Sequence, residues 1–320
     1  MAEKAIVTGA AGFIGSHLAE ALLNSGLEVI GIDSLTDYYD LRLKQRNLDM
    51  LSPHDGFQFI AKSINDADLD ALLDGVDYVF HQAAQAGVRA SWGTQFEHYI
   101  DCNVRATQRL CEAARRKPLK KFVYASSSSV YGDTDQLPMS EDGPVRPVSP
   151  YGVTKLDGEN MCLLYRKSDG LPAVCLRYFT VYGPRQRPDM AIHRFLKGAM
   201  NGSAVEVYGN GEQTRDFTFV SDIVAANILA MRYQGDGTVF NIGGGSRVSL
   251  NHVLDLIGRY AKGEFDVRYK EGEKGDVKHT YADTSLSRAE LSFEPSITLE
   301  NGIDLQAGWM KTILDLDAND

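Results

Sequence analysis

The 320-residue chain has few basic residues, few cysteines and no long apolar run. Its 33 Lys and Arg residues are outnumbered by 43 Asp and Glu residues, which gives a formal net charge of -10. Such a chain lacks the positive field that attracts nucleic acids and anionic lipid surfaces, so neither is predicted as a partner. No apolar stretch is long enough to span a membrane, and the N-terminal residues hold no apolar signal core. We therefore expect a cytoplasmic protein.

The four cysteines are Cys102, Cys111, Cys162 and Cys175. They form neither a C-x-x-C pair nor a spacing with histidine that is typical of metal sites. Buried free thiols are the usual state of cysteine in a reducing compartment. The sequence therefore predicts neither a disulfide framework nor a metal site.

Short apolar segments typical of strands alternate with longer segments of helical apolar spacing. The strand-like segments are residues 5–7, 29–32, 57–60, 78–80, 122–124 and 174–176, and the clearest helical patterns cover residues 13–23, 96–114 and 151–165. Alternating strands and helices with right-handed crossovers produce a parallel sheet covered on both faces. The sequence therefore predicts an α/β fold with a Rossmann-type, doubly wound parallel sheet.

The alternation weakens after about residue 180, where glycine-rich joints become frequent. We expect residues 1–180 to form the Rossmann domain, with a return segment near residues 221–245 that rejoins its sheet. Residues 181–320 are expected to form mainly a smaller C-terminal α/β lobe that closes over this domain and binds the substrate.

Three glycines, Gly9, Gly12 and Gly15, lie between the first strand and the first helix. Glycines here permit a tight turn and let the backbone approach a pyrophosphate, which the helix N-terminus attracts. Asp33 follows at the tip of the second strand, where a carboxylate can bind ribose hydroxyls and repel a 2'-phosphate. Because Ser34 offers no counter-charge, the pattern predicts NAD rather than NADP.

Tyr151 and Lys155 are four residues apart, so they share one face of a helix that Ser149 and Pro150 are expected to begin. An unperturbed tyrosine titrates near ~10, which is too high for a base at neutral pH. A neighbouring ammonium and a positively charged nicotinamide favour the phenolate, so we expect a lowered pKa for Tyr151. A hydroxyl from the serine run at residues 126–129 would bind the substrate oxygen. These groups predict proton removal from an alcohol, coupled to hydride transfer.

The chain resembles the extended short-chain dehydrogenase/reductase family over essentially its whole length. Within that family it is most similar to the NAD-dependent sugar-nucleotide 4-epimerases, and most closely to UDP-glucuronate 4-epimerases. The residues that carry the resemblance are the glycine motif, Asp33, residues 81–84, 87–92 and 127–132, Tyr151 with Lys155, and residues 177–188.

The resemblance implies a catalytic triad of Ser127, Tyr151 and Lys155, which Asn103 supports from a neighbouring helix. Many relatives have Asp-Ile where this chain has Ser63 and Ile64, so those two residues are expected to touch adenine largely through their backbone. The cofactor-binding residues expected from the motifs and the resemblance are Gly9, Gly12, Phe13, Ile14, Gly15, Asp33, Ser63, Ile64, Gln82, Ala83, Ala84, Asn103, Tyr151, Lys155 and Tyr178.

In this family the tyrosine removes the proton of the sugar 4-hydroxyl while C-4 delivers hydride to NAD. Related dehydratases and decarboxylases carry an acid just before a Val-Tyr-Gly motif, and here that position is Ser129. Without that acid, return of the hydride to the other face of the 4-keto sugar is the simplest outcome, which is 4-epimerisation. A 4-keto glucuronate is a β-keto acid, so its carboxylate has to be held firmly. The resemblance places Ser127, Ser128, Ser129 and Thr180 around that carboxylate.

The resemblance and the preference of arginine for oxyanions supply the remaining substrate contacts. Arg215 matches the diphosphate arginine of the family, Arg187 and Arg89 are further candidates, and Tyr208 is placed to stack on uracil. Glu273 stands where many relatives carry a diphosphate arginine, shortly before Asp276. The full set expected to bind the UDP-sugar is Arg89, Ser127, Ser128, Ser129, Tyr151, Thr180, Arg187, Tyr208, Arg215 and Asp276.

Several functions stay open from the sequence. Besides a UDP-glucuronate 4-epimerase, they are a 4-epimerase for UDP-glucose or UDP-N-acetylglucosamine, a decarboxylating relative, an NAD-consuming dehydrogenase, and a non-catalytic sensor of NAD or nucleotide sugars. Relatives are usually homodimers that pair through two long helices, so the resemblance also implies a homodimer formed by the helices over residues 96–114 and 151–165.

Overall fold

The computed structural model describes residues 2–317, with side chains through Leu314. Within this part of the chain the strands are β1 (Lys4–Thr8), β2 (Glu28–Asp33), β3 (Phe57–Ala61), β4 (Tyr78–His81), β5 (Lys121–Ser127), β6 (Ala173–Tyr178), β7 (Thr180–Tyr182), β8 (Val205–Tyr208), β9 (Thr214–Phe219), β10 (Val239–Ile242), β11 (Arg247–Ser249) and β12 (Val267–Lys270). The α-helices are α1 (Phe13–Asn24), α2 (Leu41–Leu51), α3 (Leu69–Leu72), α4 (Phe96–Tyr99), α5 (Ala106–Ala114), α6 (Pro150–Asp169), α7 (Ala191–Asn201), α8 (Val220–Arg232), α9 (Leu250–Gly258), α10 (Ser285–Leu291) and α11 (Leu299–Asp317).

Seven strands form the central sheet, in the order β10-β6-β5-β4-β1-β2-β3. Every neighbouring pair is parallel. The chain runs outward from β1 to β3 and then returns to β4 on the other side of β1, so the strand order reverses between β1 and β4. This confirms the expected doubly wound α/β sheet. Ligands of such sheets bind in the crevice at the carboxyl ends of the strands beside this reversal.

The sheet is buried on both faces, which explains the short apolar runs in the sequence. In β1, Ala5 and Val7 pack into one core cluster, whereas Ile6 packs into a second cluster on the opposite face. The six strands expected from residues 5–7 through 174–176 are all present, each extended by one to four residues.

Two helices that carry functional residues differ in regularity. The pattern over residues 96–114 becomes α4, a π-helical segment at Ile100–Arg105 and α5 in direct succession. Helix α6 begins as predicted, because the Ser149 side chain accepts a hydrogen bond of 3.1 Å from the backbone N–H of Gly152 and Pro150 occupies the first turn. Gly170 ends α6 in the left-handed conformation, at φ 72°.

The C-terminal part of the chain contributes to both the central sheet and smaller ones. Strand β10 lies parallel to β6, while β11-β9-β7 and β12-β8 form two small sheets. One apolar cluster runs continuously from Val7 in β1 to Phe195 in α7 and Ile303 in α11. The division of the chain near residue 180 therefore stays a prediction. Among residues 2–317, no helix is both long and apolar enough to cross a membrane.

The N-cap of α6 generates a stability prediction. Replacing Ser149, which is buried, by Ala removes the hydrogen bond to the Gly152 N–H and should cost about 1 kcal/mol of unfolding free energy. Urea denaturation measures the loss, and Ser168→Ala at the exposed end of the same helix is the control, expected within about 0.5 kcal/mol of the parent. Equal values for both variants would contradict the capping role.

Candidate active site

The loop between β1 and α1 is built for close approach of an anion. Gly9 has φ +70°, and a Cβ on Gly15 would lie 2.1 Å from the Gly9 carbonyl oxygen, so side chains are excluded at both positions. Gly12 precedes α1 without a side-chain cap. The N–H groups of the first turn therefore face the loop without a side-chain partner, as a pyrophosphate requires.

A cavity opens beside this loop, at the carboxyl edge of the sheet. Arg187 and most of the expected cofactor residues line it. The expected residues that it brings together are Gly9, Gly12, Phe13, Ile14, Gly15, Asp33, Ser63, Ile64, Gln82, Ala83, Ala84, Tyr151, Lys155 and Tyr178.

Asn103 is the one expected cofactor residue that lies behind this lining. Its Oδ1 accepts a hydrogen bond of 2.7 Å from the Gln85 N–H, and its Nδ2 donates to the Gln85 carbonyl and to Thr154 Oγ1, each at 3.0 Å. Asn103 therefore connects the π-helical segment to the loop after β4 and to α6. Its proximity to the triad agrees with a supporting position, and a direct cofactor contact stays a prediction.

Asp33 stands at the end of β2, where it accepts hydrogen bonds from the Leu35 N–H at 2.8 Å and the Ala11 N–H at 3.2 Å. Lys44 Nζ lies 3.7 Å from Asp33 Oδ1 in a buried position. The NAD preference predicted from Asp33 and Ser34 does not include this lysine as a counter-charge. A signal was present, because Lys44 falls on the buried face of α2 with Leu48 and Leu51.

A polar ring at the cavity wall was also missed. Asn227 of α8 donates a hydrogen bond of 2.7 Å to the Tyr178 hydroxyl. Tyr178 donates one of 3.2 Å to Gln82, and Gln82 donates one of 3.0 Å back to Asn227. This closed ring fixes two expected cofactor residues. The signal in the sequence was an asparagine on the buried face of an otherwise apolar helix.

The expected catalytic residues converge where β5 ends and α6 begins. The Ser127 hydroxyl forms a hydrogen bond with the Tyr151 hydroxyl, and its Oγ accepts a hydrogen bond of 3.1 Å from the Ser129 N–H. Lys155 is 3% exposed, and its ammonium lies 4.5 Å from the centre of the Tyr124 ring. The structure thus brings Ser127, Tyr151 and Lys155 together, and Tyr151 and Lys155 also line the cavity.

The side chains of the protein alone do not lower the pKa of Tyr151. Burial raises the pKa of Tyr151, because a phenolate loses its hydration there, and the Ser127 hydroxyl and the Arg187 charge oppose this only in part. Burial also lowers the pKa of Lys155, to about 8. The chain's own side chains therefore leave Tyr151 protonated at neutral pH, and a further positive charge beside it is needed to make it a base.

A rim of hydroxyls lies next to the triad. Ser127 stands opposite Tyr178 in the β5–β6 register, and Thr180 follows two residues later. Ser128 and Ser129 begin the short 3-10 helix after β5. The residues expected to hold a sugar carboxylate thus follow the carboxyl ends of two adjacent strands.

Another four of the expected substrate residues, Arg89, Tyr208, Arg215 and Asp276, lie close together. Arg89 Nη2 lies 2.6 Å from Asp276 Oδ2, and the Arg89 guanidinium lies 4.0 Å from the centre of the Tyr208 ring. Arg215 is half-buried, desolvation lowers its pKa, and its Nη1 donates to the carbonyls of Thr214 and Lys278 at 2.9 and 3.2 Å. A partly desolvated arginine beside a second arginine fits an anionic ligand.

Arg187 lies elsewhere, in the cofactor cavity with Tyr151. Its Nε and Nη2 atoms form a bidentate pair with Asp189, each at 3.0 Å. Its charge acts on Tyr151, so the structure places it near the reacting end of the site. A contact from Arg187 to the diphosphate stays a prediction.

Within the described residues, no three metal-binding side chains cluster. The model of the NAD dependent epimerase/dehydratase family matches residues 5–243. The chain belongs to this family. Its members' cofactor agrees with the glycine cradle and with the carboxylate of Asp33 in the cavity.

Individual relatives in this family are similar over nearly their whole length. A UDP-glucuronate 4-epimerase from Thermodesulfobacterium geofontis is 38% identical, covering 97% of each chain. An uncharacterised UDP-glucose epimerase from Bacillus subtilis is 43% identical, covering 97% of this chain and 98% of its own. The solved UDP-glucuronic acid 4-epimerase from Bacillus cereus, in complex with UDP-glucuronic acid and NAD, is 41% identical with a TM-score of 0.94, covering 97% of this chain and 99% of its own.

The environment of Asp33 predicts a change in cofactor preference. Asp33→Asn removes the carboxylate charge that would accept hydrogen bonds from the ribose hydroxyls, and it leaves Lys44 beside the site. NAD binding should weaken about 10- to 100-fold while NADP binding improves relative to it. Isothermal titration of stripped protein with each dinucleotide measures both. The control is Asp37→Asn at a nearby exposed position, and an unchanged preference in Asp33→Asn would contradict the assignment.

Proposed function

We propose that the protein is an NAD-dependent UDP-glucuronate 4-epimerase that interconverts UDP-glucuronate and UDP-galacturonate through a 4-keto sugar. The observation that carries the proposal is the meeting of Ser127, Tyr151 and Lys155 with a hydroxyl rim that has Ser129 where decarboxylases carry an acid. The similarity to UDP-glucuronate 4-epimerases over nearly the whole chain supports the same activity.

The proton transfer is assigned to Tyr151, with Ser127 sharing the hydrogen bond of the sugar 4-hydroxyl. When bound, NAD supplies the hydride acceptor and donor. Burial works against the Tyr151 phenolate, and the Ser127 hydroxyl and the Arg187 charge oppose it only in part, so the positive charge of a bound nicotinamide would be needed to bring its pKa toward the working pH. Tyr151 then holds the proton while the sugar is oxidised and returns it to the new 4-hydroxyl.

The hydroxyl rim accounts for epimerisation without loss of carbon dioxide. Ser128, Ser129 and Thr180 can hold a carboxylate with charge-assisted hydrogen bonds. Holding the C-5–C-6 bond near the plane of the C-4 carbonyl is unfavourable for decarboxylation, because the bond that would break then overlaps poorly with the carbonyl π system. The second candidate is 4-epimerisation of UDP-glucose, which is favoured by the 43% identity to the Bacillus subtilis protein described as a UDP-glucose epimerase. A neutral sugar would leave this rim without its anionic partner.

The pair of Arg89 and Arg215 is assigned to the UDP moiety. Arg215 and Arg89 would bind the diphosphate, and Asp276 balances Arg89. Because Arg89 covers one face of Tyr208, stacking of uracil on that ring requires the other face or a movement of Arg89.

Turnover of two substrates tests the function. Protein without added NAD should convert UDP-glucuronate to UDP-galacturonate, which anion-exchange chromatography separates, and should convert UDP-glucose much more slowly. Tyr151→Phe should lose about 10²- to 10⁴-fold in kcat, as expected for loss of an acid–base group. Tyr165→Phe on the same helix is the control and should keep its activity. Faster turnover of UDP-glucose would favour the second candidate, and full activity of Tyr151→Phe would exclude the proposed chemistry.

We also propose a homodimer that pairs through α5 and α6. Two apolar side chains on the outer side of α6, Val153 at 43% and Leu164 at 60% exposure, support a covered face. Sedimentation equilibrium should give twice the chain mass of 35.2 kDa, and Leu164→Glu should shift the mass toward one chain. A monomer for the parent protein would contradict the proposal.

A further inference from the structure

A buried ion pair lies directly behind the triad. Glu159 follows Lys155 by one turn of α6 and Tyr151 by two turns, so the three side chains share one face of the helix. The Glu159 carboxylate, 2% exposed, accepts hydrogen bonds from Arg177 Nη2 at 2.6 Å and Nε at 3.0 Å. Ser126 Oγ donates to the same carboxylate at 2.7 Å.

Arg177 extends this network to three strands. It lies in β6, opposite Ser126 in the β5–β6 register. Its Nη1 donates to the Tyr131 hydroxyl at 2.8 Å, and that hydroxyl donates to Asn241 Oδ1 of β10 at 2.7 Å. The network thus connects α6 with β5, β6 and β10, and it contains a fully buried charge pair that would be costly to leave half formed.

The network acts on the residue next to the catalytic serine. Consecutive side chains of a strand point in opposite directions, so the bond from Ser126 to Glu159 fixes the orientation in which β5 presents Ser127. The same carboxylate is fixed to α6, which carries Tyr151 and Lys155. One group therefore connects both sides of the triad.

We infer that Glu159 and Arg177 are positioning residues, which hold α6 against the end of β5 and thereby set the approach of Tyr151 and Lys155 to Ser127. This inference rests on the proposed function, since it concerns the same proton transfer. Neither residue is among those that line the cavity, so their effect is indirect. A displacement of about 1 Å in such a site costs on the order of 10²-fold in rate.

The charge of Glu159 also acts on Lys155. Burial lowers the pKa of Lys155 and the charge of Glu159 raises it, and the net value is about 8. Without this charge the pKa falls further, and Lys155 loses its proton at a lower pH. The titratable groups around Lys155 are Tyr151, Glu159 and Cys162 on its own helix, Tyr124 on β5, Cys175 on β6 and His81 on β4.

The test compares three variants by kcat and KM for UDP-glucuronate, by pH–rate profile and by melting temperature. Glu159→Gln should lose roughly 10- to 100-fold in kcat with KM within about twofold, and its alkaline limb should move to lower pH. Ser126→Ala, which leaves the ion pair in place, should lose less kcat at unchanged KM. Glu112→Gln, in an exposed pair with Arg115, is the control.

The double variant Glu159→Leu/Arg177→Met separates positioning from stability. Removing both charges together should restore most of the melting temperature lost in Glu159→Gln, because no unpaired buried charge remains. Its kcat should nevertheless stay low. A double variant with parental melting temperature, kcat and pH profile would overturn the inference, as would a Glu159→Gln effect confined to KM.

A substrate-free readout distinguishes this inference from the proposed function. The tyrosinate absorbance that Tyr151→Phe removes reports the pKa of Tyr151 in the parent protein. Its midpoint should lie at higher pH in Glu159→Gln, since a displaced Ser127 no longer lowers the pKa of Tyr151 through its hydrogen bond. An unchanged midpoint would overturn the inference. A shifted midpoint in a protein that fails to turn over UDP-glucuronate would support the positioning role and overturn the proposed function alone.

Discussion

Burial of the proton-transfer groups imposes a requirement on the rest of the site. Tyr151 and Lys155 sit where charge is poorly solvated, so burial raises the pKa of the first and lowers that of the second to about 8. A phenolate and an ammonium can form there only if fixed polar groups replace the lost water. Ser127 and Arg187 act on Tyr151, and Glu159 acts on Lys155. Each arrives from a separate segment of the fold, so the chemistry depends on how α6 packs against β5 and β6.

The distribution of charge fits the same picture. The chain as a whole carries a net charge of -10, yet Arg89 and Arg215 lie close to each other, and Arg187 lies in the cofactor cavity. An anionic ligand would therefore meet positive charge within the cleft rather than over the general surface. This arrangement suits a small substrate with a diphosphate and a carboxylate better than a polyanion that needs an extended basic face.

The sequence was sufficient for the central sheet because parallel strands buried on both faces leave compact apolar runs, such as that of β1. Residues fixed by local geometry were also predictable, including the glycine turn, Asp33 at a strand end and the Ser149 cap. The partners of these residues were not. Lys44 and Asn227 reach the site from helices whose packing is not encoded in any short spacing, and Arg177, the partner of Glu159, lies on the separate strand β6. The burial that raises the pKa of Tyr151 in the protein alone depends on the same packing.

In the proposed mechanism the hydride taken from C-4 returns to C-4 within one binding event. UDP-glucuronate labelled with deuterium at C-4 tests this directly when the reaction is followed by proton NMR. The UDP-galacturonate formed should retain the deuterium at C-4, with no label lost to solvent and no UDP-pentose formed. Loss of the label, or formation of UDP-pentose, would contradict it, because hydride return or protection of the carboxylate would then have failed.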